Sequence, residues 1–130
     1  MYEYDGPPIR NVYEPTGDDI RAWAYSGARF PEQDWDLFMA EPEHLELLVR
    51  LVEDPACPAR RWLLGSLYCT VGHTDHTDLR IAAAIGEAER STDPWLTTWA
   101  RRSRHVHENP ENFDRDDWCG SDTLASRPVD

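Results

Sequence analysis

The chain has 130 residues and a mass of 15.0 kDa, the size of one ordinary domain. Its 40% hydrophobic residues, including six Trp, five Tyr and three Phe, supply a packed core despite a mean hydropathy of -0.70, which excludes global disorder. Twenty-five acidic residues face 13 basic ones, every one of them Arg, and the net charge of -12 argues against direct binding to nucleic acid or anionic membranes.

Residues 1–16 read as an extended arm, because Gly6, Pro7, Pro8 and Pro15 oppose helix there and leave Tyr2, Tyr4 and Tyr13 to dock on the body. A single helical domain is expected over 17–119. Asp18 and Asp19 open a first helix with Ile20, Trp23 and Ala24 inward and Gly27 past its end. Pro31 and Glu32 open a short second one around Trp35, Phe38 and Met39. Pro42 starts a third, whose Leu45, Leu48, Val49 and Val52 form an apolar stripe. The fourth runs from about Pro58 to Val71 on Leu64, Leu67, Tyr68 and Val71, with Gly72 as its expected stop.

Thr77 or Asp78 caps the fifth, where Ile81, Ala84, Ile85 and Ala88 repeat the spacing. Asp93-Pro94 starts the sixth, with Leu96, Trp99 and Ala100 inward and Arg101, Arg102 and Arg104 near its C-terminal end. Asn109-Pro110 opens a last short turn, and residues 120–130 read as a flexible C-terminal tail. No period-2 run of β-branched residues indicates a strand. The fold class expected is all-α with about six helices, as stacked antiparallel hairpins or an irregular bundle.

An acidic residue followed by Pro recurs about every 40 residues, at Glu14-Pro15, Asp54-Pro55 and Asp93-Pro94, with Arg and Trp close behind in IRAWA, ARRWLL and TTWARR. This pattern resembles the helical-hairpin repeats of the HEAT class, in which Asp and Arg pair and small residues let helices stack. The stretches DWDLFMA, EDPACPARRWLLGSLYCTVG and FDRDDWCG also resemble small, acidic, all-helical actinobacterial proteins of unassigned function. That resemblance implies a fold and a source, and no activity.

No apolar run approaches the ~20 residues of a membrane span, and MYEYDGPPIR lacks the basic and apolar regions of a signal peptide. Cys57, Cys69 and Cys119 have no C-x-x-C spacing, so a cytoplasmic chain with reduced thiols is expected.

For chemistry, GHTDHTD offers His73, Asp75, His76 and Asp78, donors suited to a divalent first-row metal. The histidines stand at i and i+3 in a turn, where i and i+4 on a helix would face together, and a third ligand would have to come from His44, His105 or His107. The same residues serve equally as turn and cap groups. Cys57 and Cys119 have no flanking His and read as buried apolar residues, and no nucleophile elbow, phosphate loop or dinucleotide fingerprint is present. No cofactor is therefore expected.

QDWDLF and FDRDDWC each set a Trp among carboxylates, so Asp34, Trp35, Asp36, Asp114, Asp116, Asp117 and Trp118 are candidates for a partner-binding face, the alternative being that each Trp is a core anchor. The function expected is non-catalytic binding of a basic protein, such as an immunity or antitoxin-like protein would perform. The alternative is a small metal-dependent enzyme or accessory protein using His73 and His76 or a helical ligand groove. Oligomeric state is not readable from the sequence.

Overall fold

The computed structural model describes residues 4–75, 77–112 and 118. Among them the chain forms six α-helices and no strand: α1 (Gly17–Ser26), α2 (Trp35–Phe38), α3 (Leu45–Glu53), α4 (Arg60–His73), α5 (Leu79–Glu89) and α6 (Pro94–Glu108), with 3-10 turns at Pro42–His44 and Pro110–Asn112. α3 packs most extensively on α4, and α5 on α6, while α3 also meets α5 and α4 meets α6. The result is two hairpins stacked side by side. Their short connections fold each helix back on the one before it. α1 and α2 lie over this stack, against α3 and α4 respectively.

Local chemistry sets the helix ends. α1 begins one step earlier than its two aspartates suggest. Thr16 is the N-cap: its hydroxyl accepts from the Asp19 N–H (3.1 Å), and the Asp19 carboxylate accepts in return from the Thr16 N–H (3.0 Å). Gly27 ends it at φ 76°, a left-handed conformation that costs glycine little. α2 starts at Trp35, four residues beyond Pro31, and Pro42 opens a 3-10 turn that feeds α3. α4 starts at Arg60 and passes through Gly72, the expected stop, to end where Thr74 turns extended at φ -107°, ψ 150°. Glycine tolerates a left-handed stop without requiring one. Of the two candidate caps for α5 it is Asp78 that acts, accepting from the Arg80 N–H, and Asp93 caps α6.

Every residue placed on the stripes of α1, α3, α4, α5 and α6 is buried, in one core that also takes in Trp35, Met39 and Trp118. Complete burial of such a side chain contributes about 1.5–3 kcal/mol, so the stripes carry most of the driving force. α4 is enclosed on nearly every side, with Leu63, Ser66 and Thr70 buried beside its stripe, because it packs against α2, α3 and α6 together. The hairpins are tied by a polar link where the second helix of each begins. The Arg60 guanidinium pairs with Asp93, stacks over the Trp95 ring at 4.8 Å, and its Nε donates to the Val52 carbonyl at 2.6 Å. Arg from the Asp54-Pro55 copy thus reaches Asp of the next copy.

The described residues before α1 contain no helix, and Tyr4, Ile9 and Val12 pack on the core while Tyr13 is mostly exposed. Gly6 lies so close to the α1–α2 loop that a Cβ there would fall 2.7 Å from Ala28 Cβ. Tyr2 and the tail at 120–130 lie outside the described residues. No helix among the described residues is long and apolar enough to cross a membrane.

Candidate functional site

Neither tryptophan of the two Trp-acid clusters lies on the surface. Trp35 is fully buried, 4.9 Å edge-on from Trp23, and Trp118 is buried with its Nε1 donating to the Tyr68 carbonyl at 2.7 Å. Both are core anchors, because α2 packs on α4 and the Trp118 indole lies against Tyr68 of the same helix. Asp34 is exposed and Asp36 half-buried; burial pushes the Asp36 carboxyl up, against backbone N–H contacts at Leu37 and Asp36 that pull it down. Asp114, Asp116 and Asp117 lie outside the described residues.

The GHTDHTD stretch is a turn between α4 and α5. The Asp75 carboxylate accepts from the Thr77 N–H and hydroxyl, each at 2.9 Å, and Asp78 is held by Arg80, so both aspartates serve the local chain. His73 is exposed on the last residue of α4, and His76 lies outside the described residues. Among the described residues no three of His, Cys, Asp and Glu are placed to hold a metal ion. Three of the arginines are engaged separately: Arg60 holds Asp93, Arg102 stacks over the Tyr68 and Trp118 rings, and Arg104 forms a two-point pair with Glu89. Cys57 is buried, and that burial pushes its thiol up, away from the reactive thiolate.

What the chain does build lies between α1 and α2. Gly27 turns the chain out of α1. Ser26 Oγ then donates to the Trp23 carbonyl (2.7 Å) and accepts from the Ala28 N–H (3.0 Å), while Trp23 Nε1 donates to the Arg29 carbonyl (3.1 Å). These bonds fix the loop so that Phe30 lies 5.3 Å from Trp23 on one side and 5.0 Å from Trp62 on the other. A file of four rings therefore runs from Trp35 in the core through Trp23 and Phe30 to Trp62, which is 60% exposed. Residues 27–33 and Trp62 line a half-open groove of about 750 Å³.

Its wall is mainly apolar, with Arg29, Glu32 and Gln33 as polar groups at its edge, a composition suited to holding an apolar body by a few directed contacts. Sequence reasoning passed over this groove. The available signal was Trp62 itself, a large aromatic falling off the stripe of its own helix. No family model, curated protein or solved structure matches this chain.

Proposed function

We propose that the chain is a non-catalytic binding module whose Trp62 groove receives an apolar or aromatic side chain of a basic protein partner. The carrying observation is Trp62: an exposed indole held in place by Phe30 and, through it, by two buried tryptophans. Interface hot spots favour such rings because a pre-positioned Trp gives large contact area at little entropic cost. The net charge of -12 supports the choice of a basic partner, since opposite charge accelerates encounter and makes it salt-sensitive. An immunity or antitoxin-like protein that neutralises a basic effector is the concrete form of this reading.

The test is capture of partners from a native lysate at low and high salt with wild type and Trp62→Ala. A stoichiometric basic partner, weakened by salt and lost with Trp62→Ala, is the expected result. Recovery of none, or of one that Trp62→Ala retains, would overturn it. A second reading, favoured by the groove's volume, is that a small apolar ligand occupies it; about 750 Å³ falls within the usual range for small-molecule sites. Native mass spectrometry of the protein from its own cells separates the two, since a small ligand would appear as a discrete added mass that Trp62→Ala removes.

A further inference from the structure

We infer that residues 4–14 are a strap behind the Trp62 groove, and that their docking on Ala28 sets the groove's shape and so its readiness to bind. The consequence for binding rests on the reading of the groove given above, but the strap is built from other residues.

The strap is shaped by its own bonds. Tyr4 Oη donates to the Pro7 carbonyl (2.7 Å), the Tyr13 N–H to Asn11 Oδ1 (3.1 Å) and the Glu14 N–H to the Asn11 carbonyl (3.1 Å). Pro7 and Pro8 stiffen it further, since each ring fixes one backbone dihedral. A segment organised in this way gives up little entropy when it docks and can lift as one piece. It meets the core through three partly buried side chains, Tyr4, Ile9 and Val12.

Its ends reach the two elements that flank the groove. Near one end Gly6 lies against Ala28 of the α1–α2 loop, where an added Cβ would stand 2.7 Å from Ala28 Cβ. Ordinary carbon–carbon contact is about 3.5–4.0 Å, so only a residue without a side chain lets the strap come this near. Near the other end the Tyr13 ring meets Phe38 of α2 edge-on at 5.2 Å.

Ala28, which lines the groove, is therefore held from two sides. Its N–H donates to Ser26 Oγ within the loop, and Gly6 backs it from outside. Two residues further on, Phe30 is the ring against which Trp62 rests, at 5.0 Å. A Cβ at position 6 would push Ala28 and the strap apart by roughly 1 Å. So short a stretch of chain carries a shift at Ala28 to Phe30, and the ring contact carries it to Trp62. With the strap docked the wall is fixed; with it lifted Ala28 loses its outer support, and the groove binds less well although no groove residue has changed.

The experiment is fluorine NMR of the full chain labelled with 5-fluorotryptophan, the Trp62 line being assigned from Trp62→Phe. Gly6→Ala should shift the Trp62 line and leave in place that of Trp99, which is fully buried on α6. The new Cβ also meets the Tyr4 phenol, the far end of a flexible side chain that can turn away, whereas Ala28 is fixed by the loop. Adding Ala28→Gly to Gly6→Ala removes the opposing Cβ and should return Trp62 towards its wild-type position. A Trp62 line that does not move, a shift that Trp99 shares equally, or one that Ala28→Gly does not reduce would each overturn the inference. If Gly6→Ala does not fold, Ile9→Ala, which loosens the strap without a clash, decides by the same two lines. No partner enters the measurement, so its failure is distinct from a failure of partner capture by Trp62.

Discussion

Replacing Asp93 with Ala should be among the most damaging single changes outside the apolar core. One carboxylate oxygen accepts from the N–H groups of Trp95 (2.8 Å) and Leu96 (3.4 Å) and so caps α6, while the other holds the Arg60 guanidinium. Loss of the cap costs about 1 kcal/mol. Stranding Arg60 adds to this. Its side chain is 23% exposed and that of Asp93 13%, so the cost is about 1–2 kcal/mol, below the 3–5 kcal/mol of a fully buried pair. The expected total is about 2–3 kcal/mol, a large fraction of the ~5–15 kcal/mol that holds a domain together. Asp93→Asn keeps a capping oxygen and should lose about half as much. Urea unfolding followed by circular dichroism gives each value, and a double-mutant cycle with Arg60→Met isolates the pair, with a coupling of about 1 kcal/mol or more expected. A coupling near zero, or a loss under about 0.5 kcal/mol for Asp93→Ala, would refute the claim that this link joins the two hairpins.

The two ends of the aromatic file should respond differently. Trp35→Ala, at a fully buried ring, should cost about 3–5 kcal/mol in urea unfolding, and Trp62→Ala under about 1 kcal/mol; equal losses would contradict the placement of Trp62 at the surface. Tyr25 donates to the Asp54 carboxylate, and that hydrogen bond, before any other cause, holds its phenol up at about 12. The stabilisation is therefore complete below the ordinary phenol range and lost as pH rises through about 12. In an alkaline ultraviolet titration Asp54→Asn should return one tyrosine to the ordinary range while Tyr68, which burial pushes up, stays late in both proteins; an unchanged profile would refute the pairing. Asp36 is pushed up by burial, so the folded state binds its proton more tightly than the unfolded state, and its contribution to stability falls as pH rises through that interval. Asp36→Asn should consequently be more stable than wild type at neutral pH, with the difference shrinking as the solution is made acidic; a less stable variant at neutral pH would show that the charge is favourably held.

The stacked helices were legible because their stripes obey one rule: residues at i, i+3, i+4 and i+7 share a face, and that face has a partner. Leu45 to Val52 and Ile81 to Ala88 need no tertiary information to be placed. Gly72 was misleading because glycine's freedom permits a stop that only the following residue's backbone decides. The Trp-acid clusters misled for a different reason. A Trp flanked by aspartates has the same local pattern on a surface and at a helix edge where the ring turns inward; only the packing of α2 on α4 separates the two for Trp35. The groove was not legible as a whole, since it joins a loop after α1 to a residue some thirty positions later.

The candidate groove lies in the N-terminal half for a geometric reason. α3 to α6 form stacked hairpins whose members cover one another, and α4, at the centre, has almost no free face. Its first turn emerges at Trp62, because α1 ends at Gly27 and the chain swings outward before α2 returns to the stack. The α1–α2 loop is thus a place where side chains are held by a rigid scaffold without being consumed by it, as binding surfaces require. A division of labour follows. Substitutions at the buried positions of α3 to α6 should act through stability, whereas those at the exposed Trp62 should change recognition while leaving the unfolding transition nearly where it was.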